Sequence, residues 1–357
     1  MRVLFLSHNR SDSDDAYNHR LRALRDALEE EGMDARMAYL GDDPLGKPTL
    51  LHAFKIGRTP GIDEADVLHG GSAAVAFACA FLRRAPGRRL IFDMHGDTVA
   101  EAALHARGLA PAARLRTLQE RWKERIGLRR ADRVLVVSEP LREHVLALGV
   151  PGERIVLVRN GVDLDRFPAA PPPPARPEPL VIYAGRFEAW QGVESLLGVA
   201  ARAASGRFRL RVIGFGDEDR ALKDRFRGIG GEGVDLIDRV PQERLSSMLA
   251  EADLLLLPRE PGPAAEVALP TKFGEYLALG RPVILTRVGE PALLVEEGRC
   301  GIVTEPGAES IASGIARFAS LGAGERRAME GRARALAERL FDWRSIGREY
   351  AAYLRTL

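Results

Sequence analysis

The segment Pro270-Thr-Lys-Phe-Gly-Glu-Tyr-Leu-Ala-Leu-Gly-Arg-Pro-Val-Ile284 reads as a loop feeding a helix, with Gly280 as its stop and Pro282 closing the turn before an apolar strand. Glu275 falls inside the first two turns, beside backbone N–H groups that lack intrahelical partners. Such N–H groups and the positive dipole end suit a bound diphosphate, and a carboxylate one turn on suits a sugar or ribose hydroxyl. A Glu that merely faces water on an ordinary helix would give the same pattern. Gly185-Arg186 follows the apolar run Val181–Ala184. Glycine there lets backbone approach a ligand, and Arg offers a fork matched to phosphate oxygens; an Arg solvated in a loop is the plain alternative. Ile213-Gly-Phe-Gly216 repeats the strand-then-glycine pattern, adding Gly214 and Gly216 as candidates at the same sheet edge. In the first half, Asp93-Met-His95-Gly-Asp97 ends a strand, so His95 points toward a carboxyl-edge crevice if the sheet is parallel. His8 and His69 also end predicted strands and are candidates to line that crevice. Asn160-Gly-Val-Asp163 reads first as a tight turn capped by Asp163.

Positioning these residues requires parallel sheets, and the chain offers alternating strand and helix patterns over most of its length. Strands are predicted at Val3–Ser7, Asp34–Ala38, Val67–His69, Leu90–Met94, Val134–Ser138 and Ile155–Val158. After the run Pro168–Pro179, which cannot pack as helix or central strand and reads as a stiff spacer, the alternation restarts. The second set is Leu180–Ala184, Leu210–Gly214, Val234–Asp238, Leu254–Pro258, Val283–Thr286 and Ile302–Val303. Tyr17–Glu31 is amphipathic, with Leu21, Leu24 and Leu28 at helical spacing and Gly32 as its stop. A closing helix around Arg344–Leu357 carries Tyr350, Tyr353 and Leu354 on one face, and spacing alone does not say which domain it covers. The expected architecture is α/β: two Rossmann-like, doubly wound parallel-sheet domains facing across a cleft. The opening strand–helix–strand lacks Gly-x-Gly-x-x-Gly, which weakens a dinucleotide dehydrogenase reading.

With 357 residues, 46% hydrophobic, the chain exceeds one ordinary core. A net charge of +2 with 29% charged residues makes no demand for nucleic acid. The two cysteines, Cys79 and Cys300, are too few and too far apart for a disulfide framework or a thiolate zinc site. No run reaches the about 18 apolar residues of a spanning helix, so the expected location is cytoplasmic, at most peripheral to the inner face of a membrane. Of the two basic runs, Arg83-Arg84 with Arg88-Arg89 and Arg114 through Arg133, the second alternates basic and acidic residues at helical spacing and reads first as a solvated, salt-bridged face; docking on anionic headgroups is its second reading.

Together these motifs resemble glycosyltransferase family 4, retaining GT-B enzymes that use nucleotide-diphosphate sugars. The resemblance covers nearly the whole chain and rests on five blocks in order: Asn160–Phe167; Tyr183–Phe187 with Gln191-Gly192; Val212–Gly216; Ala252–Pro258; and Pro270–Pro282. It implies an N-terminal domain of residues 1–167 completed by a helix at 343–357, a linker at 168–179, and a nucleotide-sugar domain at 180–342. It further implies that Arg186 binds the donor diphosphate, Glu275 the ribose hydroxyls and main chain around Thr271 and Lys272 the phosphate oxygens. His95 would line the donor-sugar pocket, with His8, Asn9, Asp97 and Asn160 on the acceptor side. Arg186, Glu275 and His95 are the implied catalytic set, and no metal or other cofactor is required. The acceptor, whether saccharide, lipid-linked or a small molecule, is not legible.

Three positions depart from the family's pattern. Gln191 stands where a basic residue is usual, and Lys272 could supply that charge. Val267 occupies the usual partner position of Glu275, with Glu266 one residue away as a substitute. The acidic segment Asn9-Arg-Ser-Asp-Ser-Asp-Asp15 replaces a glycine-rich loop, which points to an unusual acceptor. The expected reaction is transfer of a sugar, from UDP in preference to GDP, to an acceptor hydroxyl by front-face attack after domain closure, with the anomeric configuration retained. Two alternatives share the architecture: a nucleotide-sugar 2-epimerase, for which Asp93, Asp97 and Glu101 are the available carboxylates, and a non-catalytic nucleotide-sugar-binding protein.

Overall fold

The computed structural model describes residues 1–12, 16–40, 56–80, 87–105 and 110–357. Residues 13–15 of the acidic segment and the Arg83-Arg84 pair lie outside the described residues. The chain divides into two compact units: Met1–Gly161 with Val267–Leu269 and Trp343–Leu357, and Val162–Glu266 with Pro270–Asp342.

The first unit is built on β1 (Arg2–Ser7), β2 (Asp34–Tyr39), β3 (Val67–Gly70), β4 (Arg89–Met94), β5 (Arg133–Val136) and β6 (Ile155–Leu157). These strands lie in the order β2-β1-β3-β4-β5-β6, every pair parallel, with Val3 opposite both Ala35 and Val67. Continuous apolar runs such as Val3–Leu6 are buried on both faces, as parallel strands between helix layers must be. Its helices are α1 (Ala16–Glu30), α2 (Ala73–Ala80), α3 (Thr98–His105), α4 (Ala110–Arg130), α5 (Glu139–Ala147) and, from the chain's end, α14 (Trp343–Leu354). Leu21, Leu24 and Leu28 of α1 share a core with Phe5, Ile91 and Leu135, and with Tyr350, Ala351 and Leu354 of α14.

The second unit holds β7 (Leu180–Ala184), β8 (Arg209–Phe215), β9 (Val234–Asp238), β10 (Leu254–Leu257), β11 (Val283–Thr286) and β12 (Gly301–Thr304). They run parallel in the order β12-β11-β10-β7-β8-β9. Between them come α6 (Val193–Ala203), α7 (Arg220–Gly230), α8 (Gln242–Ala250), α9 (Pro263–Val267), α10 (Thr271–Ala278), α11 (Glu290–Gly298), α12 (Ala308–Ser320) and α13 (Ala323–Leu340). Strand order reverses between β1 and β3 in the first sheet and between β7 and β10 in the second, and open α/β sheets bind ligands at the carboxyl ends of such switch points.

The division between the units falls at Gly161/Val162, ahead of the Pro-rich run. Val162 N–H donates to Phe341 O at 2.6 Å, and Arg334 Nη1 donates to Phe167 O at 3.0 Å. The run itself is extended, as its prolines dictate, but it is fastened to the second unit rather than standing off as a spacer. Ala170 N–H donates to Leu279 O, and the carbonyl of Pro171 accepts from the buried Arg281. Among the described residues, no helix is long and apolar enough to cross a membrane.

Candidate functional site

In the second unit the carboxyl ends of β7 and β8 are drawn together by glycine. Gly185 and Gly214 adopt φ of +143° and +128°, and a Cβ on Gly214 would strike the carbonyl oxygen of Gly185. Tyr183 Oη donates to Arg186 O at 2.6 Å, fixing the turn and leaving the Arg186 side chain exposed. The Gly216 N–H donates to Asp219 Oδ2 at 2.9 Å and starts the turn into α7.

Helix α10 is seated against the end of β7. Tyr276 Oη accepts from Ala184 N–H at 3.1 Å and lies 3.3 Å from Ala184 O, where it can donate. Lys272 Nζ donates to the same carbonyl at 3.3 Å and lies 4.7 Å from the centre of the Tyr183 ring. A Cβ on Gly185 would come within 2.7 Å of that Nζ, and the φ of +143° there itself favours glycine. The helix begins at Thr271 after Pro270 with no side-chain cap; Phe273 N–H donates to Pro270 O at 3.1 Å, and the N–H groups ahead of it have no intrahelical partner.

Burial pushes the Lys272 ammonium down to about 7, and the guanidinium of Arg259 acts in the same direction against the attraction of Glu275. Burial likewise pushes Glu275 up to about 7, opposed by Lys272 and Arg166. A lysine and a carboxylate one turn apart are therefore both poised near neutrality, and an arriving anion would favour the charged ammonium. Arg259 is buried, donates to Ala265 O at 2.5 Å and lies 5.6 Å from the Trp190 ring centre.

The departing positions also have definite places. Gln191 is buried with its Oε1 unpartnered, just before Gly192, whose φ is +79° and whose Cβ would collide with Pro258 O. Glu266 Oε2 accepts from the N–H of Gly289 at 2.8 Å. Val267 is buried and its carbonyl accepts from Ser138 Oγ at 2.5 Å.

The first unit gathers its candidates at the ends of β1, β3 and β4. His8 meets the Tyr17 ring edge-on at 4.6 Å, and Tyr17 lies 4.8 Å from His95. Asn9 N–H donates to Ser7 Oγ, which in turn donates to Asn18 Oδ1 at 2.7 Å. His95 Nε2 stands 3.3 Å from Asp93 Oδ2. Asp93 is fully buried and held by Arg20, whose Nε and Nη2 reach its two oxygens at 2.9 and 3.0 Å. Its carboxyl is held well below the usual carboxylate range: burial opposes ionisation, but Arg20 foremost, then His95 and His69, outweigh it.

One assignment changes here. His69, expected to line the crevice, is fully buried and bonded to Asp93 Oδ2 (3.1 Å) and Tyr350 Oη (3.0 Å); it braces α14 against the sheet. Asp97 caps α3 through Ala100 N–H at 2.8 Å and is nearly buried. Asn160 accepts from Arg20 Nη1 at 3.2 Å and donates to Leu269 O at 2.7 Å, so it ties the 267–269 segment to this network. Arg20 was not singled out from sequence. Its signal was its place one turn before Leu24 and two before Leu28, a charge on an otherwise apolar stripe.

Residues 18–166 match the model described as Glycosyltransferase Family 4, and residues 178–320 match Glycosyl transferases group 1. The chain belongs to glycosyltransferase family 4, and its fold is of the GT-B type. It is 30% identical over 235 residues to WcaL of Escherichia coli K12, a glycosyltransferase named for colanic acid biosynthesis, covering 64% of this chain and 58% of WcaL. It is 26% identical to the glycogen synthase of Mycobacterium tuberculosis H37Rv over 79% of this chain and 66% of that protein. Among solved structures, sucrose-phosphate synthase from Thermosynechococcus elongatus superposes with a TM-score of 0.81 at 20% identity, covering 100% of this chain and 99% of that one. Anabaena HepE in complex with UDP-glucose gives 0.73 at 17% identity, with both chains covered fully.

Proposed function

We propose that this protein is a retaining glycosyltransferase that draws its sugar from a nucleotide-diphosphate donor, with a UDP-sugar the first to test. The observation that carries the reading is the convergence of Lys272, the Arg186 turn and the uncapped start of α10 at the β7 edge. Groups of this kind neutralise a departing diphosphate. On this reading Glu275 takes the ribose hydroxyls, one turn beyond the phosphate-binding N–H groups. UDP is preferred because HepE, which shares the fold, is known with UDP and UDP-glucose. No metal is assigned a role.

The chemistry assigned to these residues is charge stabilisation. The bond from the anomeric carbon to the phosphate oxygen breaks as a bond to the acceptor oxygen forms on the same face. The acceptor's proton passes to the leaving phosphate oxygen, and Lys272, Arg186 and the helix start hold the negative charge that develops there. The acceptor-side assignments of His8, Asn9, His95, Asp97 and Asn160 belong to the same proposal. Because the chain spans only 58% of WcaL, the acceptor is not carried over from that relative.

The test is incubation with a panel of nucleotide-diphosphate sugars and acceptors, reading nucleoside diphosphate release and the product's anomeric configuration by proton NMR. Release with the donor's configuration preserved supports the reading. An inverted product, or conversion of donor alone to its epimer, overturns it.

A further inference from the structure

A charge buried without a counter-charge is costly, so a carboxyl sealed in this way asks for a partner. Where β4 runs into α3, three titratable side chains from separate helices gather round Asp97. His144 of α5 holds Nε2 3.8 Å from Asp97 Oδ2, while Oδ1 of that carboxylate caps α3. Glu101 of α3 folds back over the loop, where a Cβ on Gly96 would come within 2.8 Å of its Oε1. Glu124 comes from α4. A Cβ on Gly127 would lie 3.4 Å from Phe92 of β4 and 3.2 Å from Ala76 of α2, which marks the face of α4 turned to the sheet. Glu124 shares that face one turn earlier. Because α4 returns to start β5, parallel to β4, one turn earlier is one turn nearer the carboxyl edge and Asp97.

Glu124 is 3% exposed, and its Oε2 is sealed from solvent with no hydrogen-bond partner. The cations of its own helix do not answer it: Lys123 pairs with Glu120 at 2.9 Å, and Arg121 and Arg125 are exposed. Burial first, then Asp97 and Glu120, pushes the Glu124 carboxyl up to about 7 against those two arginines. Glu101 is reached by solvent, yet the protein packed round it, then Asp97, pushes it up to about 7 as well. A cation set among the three carboxyls would relieve their repulsion and complete their ionisation.

We propose that this cluster receives an ammonium group of the acceptor, so that the acceptor is an amino sugar whose charged amine is held among Asp97, Glu101 and Glu124. An ammonium carries three donors and can meet carboxylate oxygens on three sides. Among the described residues no three His, Cys, Asp or Glu side chains stand close enough together to ligate a metal ion, so a compact divalent ion suits the site less well. The cluster lies at the end of the strand that leads into His95, on the side already given to the acceptor. The inference rests on the transferase reading above and names the class of its acceptor.

The test uses the full chain and a panel of amino-sugar methyl glycosides, with the amine at each ring position in turn, each beside its N-acetylated and hydroxyl counterparts. Binding is read by ligand-observed NMR without donor. At least one amine is expected to bind about 10–100-fold tighter than both neutral counterparts at pH 7, and less so as salt is raised. Glu101→Gln and Glu124→Gln should each reduce that preference and leave affinity for the hydroxyl counterpart in place, which a merely structural role would not do. Since the Glu124 carboxyl is raised from 4.5 to about 7, its ionisation opposes folding as pH rises through that range. Glu124→Gln should therefore match or exceed the wild-type melting point at pH 8. Amines that bind no better than their neutral counterparts, or a preference that survives in the double variant, would overturn the proposal. So would tight binding of magnesium or manganese that the same variants abolish, since the cluster would then be a metal centre. Melting-point shifts with sugar nucleotides, measured without acceptor, separate failure here from failure of the transferase reading.

Discussion

Binding of a nucleotide-diphosphate sugar should draw a proton onto Lys272. In the free protein the ammonium is pushed down to about 7 by burial and Arg259. At pH 8 about nine in ten molecules therefore carry a neutral amine. A diphosphate beside Nζ restores a pKa near that of ordinary lysine, so binding at pH 8 should take up close to one proton. Glu275, pushed up to about 7, is already mostly ionised at that pH and contributes little. Linkage then makes the donor's affinity fall about tenfold for each pH unit above 7. A nucleotide-diphosphate sugar keeps its phosphates ionised across this range, so the slope reports the protein. Isothermal titration at pH 8 in buffers of different ionisation enthalpy measures the uptake directly. Lys272→Met should abolish both the uptake and the slope and weaken binding at pH 7 about 10–100-fold. An enthalpy independent of buffer, or a slope that survives in Lys272→Met, would refute the placement of Lys272 on the diphosphate.

Arg186→Ala, at an exposed side chain, should lower turnover about 10²–10³-fold without shifting the melting point, read by nucleoside diphosphate release. Glu275→Gln should likewise abolish most turnover. Because the folded carboxyl is raised from 4.5 to about 7, its favourable contribution is complete below pH 4.5 and lost as pH rises through 7, so this variant should gain stability over wild type above pH 7. Gly192→Ala drives a Cβ into Pro258 O at a positive φ and should cost about 3 kcal/mol in denaturant unfolding. Arg20→Ala leaves Asp93 buried without its main counter-charge and should cost about 3–5 kcal/mol. Since Asp93 is depressed below 3.8, its contribution in wild type is present above that pH and is lost as pH falls below it.

The strands were legible because parallel, doubly covered strands need continuous apolar runs, and all twelve predicted segments coincide with strands of the two sheets. The Gly185-Arg186 turn and the start of α10 were legible for a related reason: glycine at a strand end and an uncapped helix start leave local marks in sequence. The charge network of the first unit was not. Arg20, His69, Asp93 and Asn160 lie far apart in the chain, and only the folded sheet brings them within bonding distance. His69 shows the limit of the strand-end rule, since a histidine one position short of the edge turned into the core beside Tyr350. The state of Lys272 was equally hidden, because its depressed pKa comes from burial against Tyr183 and from Arg259, on a separate loop.

Thermal unfolding in the presence of nucleotide-diphosphate sugars tests most directly whether the β7 edge of the second unit is the donor site. At least one sugar nucleotide at a hundredfold excess over its Kd should stabilise wild type by about 2.7 kcal/mol, and Arg186→Ala with Lys272→Met should erase that gain. A panel that leaves wild type unmoved, or a shift that the double variant retains in full, would contradict the account.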